Sequence, residues 1–199
     1  MVFRIVIITL ALAACYAVFS IAVDWRFYHK LRTPDAAFTV KNDAGELSII
    51  EFLNYDCQYC REMHKVLMEY ANTHTDVRIV VRPFPNVGGY SEEAAEMVLA
   101  AGVQGKFWEV DEAIAGYDGK PDEKFYRETS ALLDIDYEKM RKDSESPAVQ
   151  EMVGDNADAV LMLDIQKVPA IMIGKTVYQL DNPLTLSDLI SKVAEQRGR

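Results

Sequence analysis

Two cysteines, Cys57 and Cys60, stand two residues apart in the segment EFLNYDCQYCREMHK, which covers residues 51–65. The segment begins as an apolar, strand-like run and continues with apolar residues at helical spacing, so the pair is predicted to lie at the start of a helix. Two intervening residues in a first helical turn bring two thiols to disulfide distance. The N-terminus of a helix also stabilises a thiolate on the first cysteine. Cys57 is therefore predicted to be the exposed nucleophile of a redox pair and Cys60 its resolving thiol.

Other uses of a Cys-x-x-Cys pair fit this sequence less well. The chain has only three cysteines, so it lacks the second pair that a four-thiolate zinc site needs. Arg61 follows Cys60, which excludes the Cys-x-x-Cys-His motif of haem attachment. His64 follows at helical spacing and suggests a Cys–Cys–His metal site, but a fourth ligand is missing. We therefore expect His64 to be a partly exposed helix residue, and we expect neither a metal nor a cofactor.

Glu51 lies six residues before Cys57, within the apolar run SIIEFL. A carboxyl group in such a run is predicted to be buried, and a buried carboxyl group near a thiol is a candidate proton carrier. The alternative is a carboxylate on an edge strand, in contact with water. We favour burial, and we predict that Glu51 exchanges a proton with Cys60, because the resolving thiol must be deprotonated during exchange.

The elements around the cysteine pair alternate between strand and helix. In chain order, the sequence predicts a strand at 48–55, a helix at 57–72, a strand at 77–81, a helical insert at about 88–164, a hairpin of two strands around Gly174–Lys175, and a helix at about 184–196. The first three elements form a parallel strand–helix–strand unit. The sequence therefore predicts one α/β domain over residues 36–199.

The motif and its surroundings resemble the thioredoxin-fold disulfide oxidoreductases of bacterial cell envelopes, of the DsbA and Com1-like type. EFLNYDCQYC is similar to the family's Glu-Phe-Phe-x-x-x-Cys-x-x-Cys pattern, GKFWEVDEAI to a helix of its insert, and VPAIMIGKTVYQL to its cis-proline segment. The resemblance covers residues 38–194 and implies a thioredoxin fold, a central β-sheet flanked by helices, with a helical insertion. It also implies that Pro169 is a cis-proline facing the disulfide, that the backbone of Val168 pairs with a substrate chain, and that Gln58 and Tyr59 help to bind it.

The residues beside the cysteine pair favour a moderate oxidant. The strongest oxidant of this family has a histidine between its cysteines, whereas this chain has Gln58 and Tyr59. Asp56 adds a negative charge next to Cys57, which disfavours the thiolate, although Asp56 is alternatively a cap of the helix. The resemblance also implies that Glu51 is the family's buried acid.

Three functions are compatible with these residues. The favoured one is thiol–disulfide exchange between the cysteine pair and cysteines of exported proteins, with oxidation of those proteins as the favoured direction. The same chemistry run as a reductase or isomerase is the first alternative. The second alternative is a non-enzymatic thioredoxin-like module that binds a metal or a partner through Cys57, Cys60 and His64.

Residues 5–23 read IVIITLALAACYAVFSIAV, without charge, proline or glycine. A helix of this length spans about 28 Å, close to the thickness of a bilayer core. An uncleaved signal anchor is favoured by this length and by the aromatic cluster that follows. A cleaved signal peptide with its cut site near residues 20–22 and a lipoprotein lipidated at Cys15 are the alternatives. Residues 1–23 are therefore predicted to be a signal anchor or signal peptide, and residues 24–35 a connector.

The charge of the chain excludes one class of partner. The formal net charge of −10 argues against nucleic-acid binding, which normally needs a basic patch. We expect a periplasmic or cell-envelope domain, anchored to the inner membrane by its N-terminal segment. Its expected partners are cysteine-containing exported proteins and a membrane redox partner.

Overall fold

The computed structural model describes residues 2–34, 36–85 and 89–198, in two compact units, Met1–Pro34 and Asp35–Arg199. The first unit is helix α1, Val2–Arg32, which continues through most of the segment predicted to be a connector. Several side chains of the predicted anchor, including those of residues 5–8, lie outside the described ones. In the described part of the chain, no helix combines the length and the apolar character needed to cross a membrane.

The second unit contains a five-stranded sheet and seven α-helices among its described residues. Its elements, in chain order, are a short 3-10 helix Ala37–Thr39, β1 Val40–Lys41, β2 Leu47–Leu53, α2 Gln58–Thr73, β3 Val77–Pro83, α3 Ser91–Val103, α4 Phe107–Gly116, α5 Glu123–Leu133, α6 Tyr137–Ser144, α7 Pro147–Met162, β4 Ala170–Ile173, β5 Thr176–Gln179 and α8 Leu186–Arg197. Helices α3 to α7 therefore occupy the segment between β3 and β4.

The sheet has the strand order β1-β3-β2-β4-β5, which places β2 at its centre. Strand β2 pairs in parallel with β3 and antiparallel with β4, so Glu51 lies between Val81 and Ile171. Strand β1 pairs antiparallel with β3, and β5 pairs antiparallel with β4. The fold predicted from the sequence, a central sheet flanked by helices with a helical insertion, is confirmed.

Helix α2 packs one face against the protein core. Its buried residues recur three or four positions apart and are Cys60, Met63, His64, Leu67, Tyr70 and Ala71. Such spacing places side chains on one side of a helix. Strand β2 is buried along almost its whole length, because helices and neighbouring strands cover it. Helix α2 thus follows the central strand after a short loop, residues 54–57, and this fixes the position of the cysteine pair.

Candidate active site

Cys57 and Cys60 form a disulfide at the N-terminus of α2, with 5.2 Å between their Cα atoms. Cys57 is the N-cap residue of α2, and the backbone N–H of Cys60 donates to its Sγ atom at 3.1 Å. Cys57 is partly exposed, whereas Cys60 is only 1% exposed, so an external thiolate reaches the sulfur of Cys57 first. Since Cys57 is itself the cap, the alternative that Asp56 caps this helix is wrong.

The loop between β2 and α2 is held in place by hydrogen bonds. The backbone carbonyl of Asn54 accepts from the N–H of Cys57 at 3.2 Å. The backbone carbonyl of Tyr55 accepts from the guanidinium of Arg61 at 2.6 Å and from the hydroxyl of Tyr90 at 2.9 Å. Arg61 also donates to the Tyr90 hydroxyl at 2.9 Å. These contacts hold the loop against the first turn of α2 and so orient Cys57.

Glu51 lies in the central strand β2 and is 2% exposed, so the alternative of a water-exposed edge carboxylate is wrong. Its Oε2 atom lies 2.7 Å from Nδ1 of His64. Burial raises the pKa of the Glu51 carboxyl above its ordinary value, and the charge of His64 offsets part of that rise. Glu51 is thus a buried acid whose protonation depends on one neighbour.

His64 is 2% exposed, and the prediction that it is partly exposed is wrong. Its Nε2 atom lies 2.9 Å from Oδ2 of Asp111, while Nδ1 faces Glu51. Burial alone would lower the pKa of His64, but the carboxylates of Asp111 and Glu51 outweigh burial and hold that pKa well above its ordinary value. His64 is therefore an imidazolium that donates a hydrogen bond to each carboxylate.

These contacts bear on the metal-binding alternative. Both ring nitrogens of His64 are engaged by carboxylates, so neither is available to share a metal ion with Cys57 and Cys60. Within the residues that the structure describes, no group of three or more His, Cys, Asp or Glu side chains could hold a metal ion.

Asp111 is the residue that the sequence analysis missed. It lies in α4, is 1% exposed and accepts a hydrogen bond at 2.6 Å from the hydroxyl of Tyr55. The signal that could have revealed Asp111 is its position on the buried face of α4, between Val110 and Ile114. An acid on the apolar face of a helix needs a buried partner. We call Glu51, His64, Asp111 and Tyr55 the buried cluster.

The buried cluster borders a cavity of about 650 Å³ between α2 and α4, which His64 and Asp111 help to line. Charged side chains from both helices, including Lys65 and Glu112, also line it. The cluster thus lies next to a polar recess on the flank of α2.

The Val168–Pro169 peptide bond is cis, as the resemblance implies. Ala170, the first residue of β4, pairs with Phe52 near the end of β2. Pro169 therefore lies at the end of the sheet from which the loop to Cys57 departs. A second cavity, of about 510 Å³, is lined by Val168, by Asn54 of that loop and by apolar side chains of α7 and the segment after it.

Gln58 and Tyr59 occupy the first turn of α2 and are both exposed. The Tyr59 side chain is 45% exposed, and the Gln58 amide donates to Glu62 at 2.9 Å. Both side chains are therefore accessible, and their contact with a substrate stays a prediction.

Comparison with known proteins agrees with this geometry. The Thioredoxin family matches residues 39–192. A thioredoxin-like oxidoreductase from Silicibacter pomeroyi DSS-3 is 26% identical, with a TM-score of 0.74 over 83% of this chain and 98% of that one. The thiol-disulfide exchange protein alpha-DsbA2 from Wolbachia pipientis is 20% identical, with a TM-score of 0.74 over 85% and 91% of the two chains. A periplasmic thioredoxin-like protein from Salmonella enterica serovar Typhimurium is 18% identical, with a TM-score of 0.69 over 86% and 96%.

Curated relatives match over a shorter part of their length. The Na(+)/H(+) antiporter NhaA 1 of Salinispora arenicola is 23% identical over 129 residues, which are 64% of this chain and 20% of the antiporter. The chain thus spans about a fifth of the length of the curated relatives it matches. The family match covers most of the chain, and the disulfide lies at the N-terminus of the helix that follows the central strand. The chain therefore belongs to the thioredoxin family, and it has the fold of a thioredoxin-like oxidoreductase.

Proposed function

We propose that the chain acts outside the cytoplasm and oxidises cysteines of exported proteins, using the Cys57–Cys60 disulfide as the oxidant. The observation that carries the exchange chemistry of this proposal is the asymmetry of the pair: Cys57 is partly exposed at a helix N-terminus, and Cys60 is buried one turn inside. This asymmetry lets a protein thiolate attack one sulfur while the other leaves into a protected site.

The reaction transfers two electrons from the client protein to the cysteine pair. A client thiolate attacks Sγ of Cys57, the Cys57–Cys60 bond breaks, and Cys60 leaves as a thiolate. A second client thiolate then attacks the client sulfur of the mixed disulfide and releases Cys57 as a thiolate. The client gains one disulfide, and the chain is left with two reduced cysteines. A membrane redox partner then reoxidises the pair.

Glu51 serves this cycle as the proton carrier of Cys60. When the membrane partner reoxidises the pair, Cys60 attacks a mixed disulfide on Cys57, and the Glu51 carboxylate takes up the proton of the Cys60 thiol. The support is positional, because Glu51 contacts His64, which lies four residues after Cys60 on the same face of α2.

The client chain lies extended beside the Val168–Pro169 peptide, with the backbone of Val168 as its pairing partner. The cavity that joins Val168 to Asn54 supports this position, because it extends from the cis-proline loop to the loop that carries Cys57. Gln58 and Tyr59 lie in the first turn of α2, next to Cys57, and contact the client from the side of this helix.

The extracytoplasmic location is supported by the apolar N-terminal segment and by the chemistry, since protein disulfides persist mainly in oxidising compartments. One of the structures with the same fold is a periplasmic protein. Attachment to the inner membrane through residues 1–23 stays a prediction from the sequence.

The direction of exchange is tested with the oxidised full chain and an equimolar, reduced peptide that contains two cysteines. We expect the peptide to acquire a disulfide while Cys57 and Cys60 become reduced, as counted by alkylation and mass spectrometry. A peptide that stays reduced, together with reduction of a disulfide peptide by the reduced chain, would contradict the proposal in favour of a reductase. Absence of any exchange, with metal bound in stoichiometric amount, would support the binding module instead.

A further inference from the structure

We infer that His64, held in place by Asp111 and Tyr55, is a positioning residue that keeps Glu51 in its carboxylate form, so that Glu51 can accept the proton of Cys60. The inference deepens the proposed function and rests on the role given there to Glu51. It concerns the step in which Cys60 attacks a mixed disulfide on Cys57. In that step the resolving thiol must lose its proton before its sulfur can react.

The surroundings of Glu51 make an unassisted carboxylate costly. Glu51 lies in the central strand of the sheet, between Val81 and Ile171, and is 2% exposed. An ionised carboxylate in such a place needs a charged or hydrogen-bonding partner. His64, at 2.7 Å, is that partner.

Asp111 keeps His64 charged whether or not Glu51 carries a proton. When Glu51 is neutral, the imidazolium would lose its partner on the Nδ1 side, but the Asp111 carboxylate still lies 2.9 Å from Nε2. The Tyr55 hydroxyl, 2.6 Å from the other oxygen of Asp111, fixes the orientation of that carboxylate. His64 therefore presents a constant positive charge to Glu51 throughout the cycle.

The other charged side chains near Glu51 and His64 do not replace the positive charge of His64. Asp111 itself acts against ionisation of Glu51, because it is a like charge. Arg82 lies on the opposite face of the sheet, where its guanidinium donates to Asn156 of α7 at 2.8 Å. The other charged side chains that line the cavity beside His64 and Asp111 are those of Lys41, Lys65, Glu69, Glu109 and Glu112.

The step itself balances in atoms and electrons. The Cys60 thiol gives its proton to the Glu51 carboxylate, and the Cys60 sulfur attacks Sγ of Cys57 in the mixed disulfide. The Cys57–Cys60 bond forms, the bond from Cys57 to the sulfur of the redox partner breaks, and the partner leaves as a thiolate. Because burial raises the pKa of Glu51 and the charge of His64 opposes this rise, loss of His64 would leave Glu51 protonated to higher pH.

The test follows one mixed disulfide as it decays. The full chain, with Cys15→Ala to remove the free cysteine, is reduced and mixed with excess oxidised glutathione. Samples quenched with acid at intervals give, by mass spectrometry, the fraction that carries glutathione on Cys57. The decay is a unimolecular step within the chain, so its rate does not depend on whether the thiol of free glutathione is protonated. The decay also needs no client protein. A failure of the chain to oxidise the peptide would therefore reject the proposed function but would not change the outcome of this test.

At pH values below the pKa of Glu51, we expect His64→Gln to slow this decay by about ten-fold for each unit by which that pKa rises. The pH above which decay becomes fast should rise by the same number of units. His64→Asn is a second neutral replacement if the first variant does not fold. His74→Gln, the same change near the C-terminus of α2, is the matched control and should match the parent chain.

A double variant separates electrostatics from packing. We expect Glu51→Gln to slow the decay and flatten its pH profile, and we expect His64→Gln to add nothing to Glu51→Gln. The inference is overturned if His64→Gln leaves the pH profile in place, or if it slows the Glu51→Gln chain by the same factor as the parent. Either result would mean that His64 acts only through packing.

Discussion

Replacing Cys57 with serine is expected to abolish thiol–disulfide exchange, with a loss of about three orders of magnitude or more. Cys57 is the partly exposed sulfur at the helix N-terminus, and a serine hydroxyl there forms no mixed disulfide. Cys60→Ser is the matched control, because it makes the same atomic change one turn inside the helix. We expect Cys60→Ser to react once with a disulfide peptide and then to stop as a stable mixed disulfide on Cys57.

Intact-mass measurement after alkylation distinguishes these outcomes when both variants also carry Cys15→Ala, which removes the free cysteine. We expect the Cys57→Ser chain to carry no peptide and the Cys60→Ser chain to carry one peptide. If Cys57→Ser instead accumulated the mixed disulfide and Cys60→Ser did not, the assignment of nucleophile and resolving thiol would be reversed. That result would also conflict with the 1% exposure of Cys60.

The second large effect concerns stability. His64→Leu is expected to lower the free energy of unfolding by about 3–5 kcal/mol at neutral pH, because it leaves two buried carboxyl groups without their shared cation. His74→Leu changes a half-buried histidine of the same helix and should cost less than about 1 kcal/mol. Urea unfolding of the oxidised full chain measures both. An equal cost for the two variants would contradict the role of the buried cluster.

The buried cluster also makes stability depend on pH. The pKa of His64 is raised well above 6.5 in the folded chain, so the folded chain keeps a proton that the unfolded chain releases. The stabilisation from His64 is therefore complete below pH 6.5 and is lost as pH rises through the folded-state pKa. The free energy of unfolding should fall by up to about 1.4 kcal/mol per pH unit in that window.

The part of this decline that comes from His64 should be absent in His64→Leu, because leucine binds no proton. The part that comes from Glu51 should then extend to higher pH, because His64 no longer lowers the pKa of Glu51. Glu51, whose pKa is also raised, adds a decline of the same sign that begins at its lower ordinary value of 4.5. Unfolding curves from pH 5 to pH 9 separate the two contributions. A slope above pH 6.5 that is the same in Glu51→Gln and in the double variant Glu51→Gln, His64→Leu would exclude His64 as its source.

The sequence predicts the parts of the site that depend on local pattern. The spacing of Cys57 and Cys60 after a strand-like run places them at a helix start, and the apolar neighbours of Glu51 indicate its burial. The parallel strand–helix–strand unit is predicted because strand-like and helix-like patterns of apolar residues alternate along the chain. These features need only neighbours along the chain, so they can be read without tertiary structure.

The rest of the site depends on contacts between distant segments. His64 pairs with Glu51, 13 residues away, and with Asp111 on another helix, and neither spacing has a local signature. In the sequence, His64 is only one polar residue of a helix that is rich in polar residues. The packing of α4 against α2, which buries His64, is visible only in the folded structure. Asp56 is a plausible N-cap by residue type. The N-cap is Cys57 instead, because the first residue of the helix is Gln58.

Two elements of the fold have no separate signal in the sequence, for physical reasons. Strand β1 contains only two residues, and its pairing with β3 brings together segments about forty residues apart. Helix α6 reads YEKMRKDS, and of its side chains only Met140 and Ser144 are buried. So short a polar helix has no apolar stripe, and its stability comes from packing and from its cap at Asp136.

The reduction potential of the Cys57–Cys60 couple tests the central claim most directly. It is measured on the full chain with Cys15→Ala, equilibrated against glutathione buffers of defined ratio. A donor of disulfides with Gln58 and Tyr59 between its cysteines should have a potential of about −120 to −180 mV. A value of about −230 mV or below, or no reversible couple, would contradict the account.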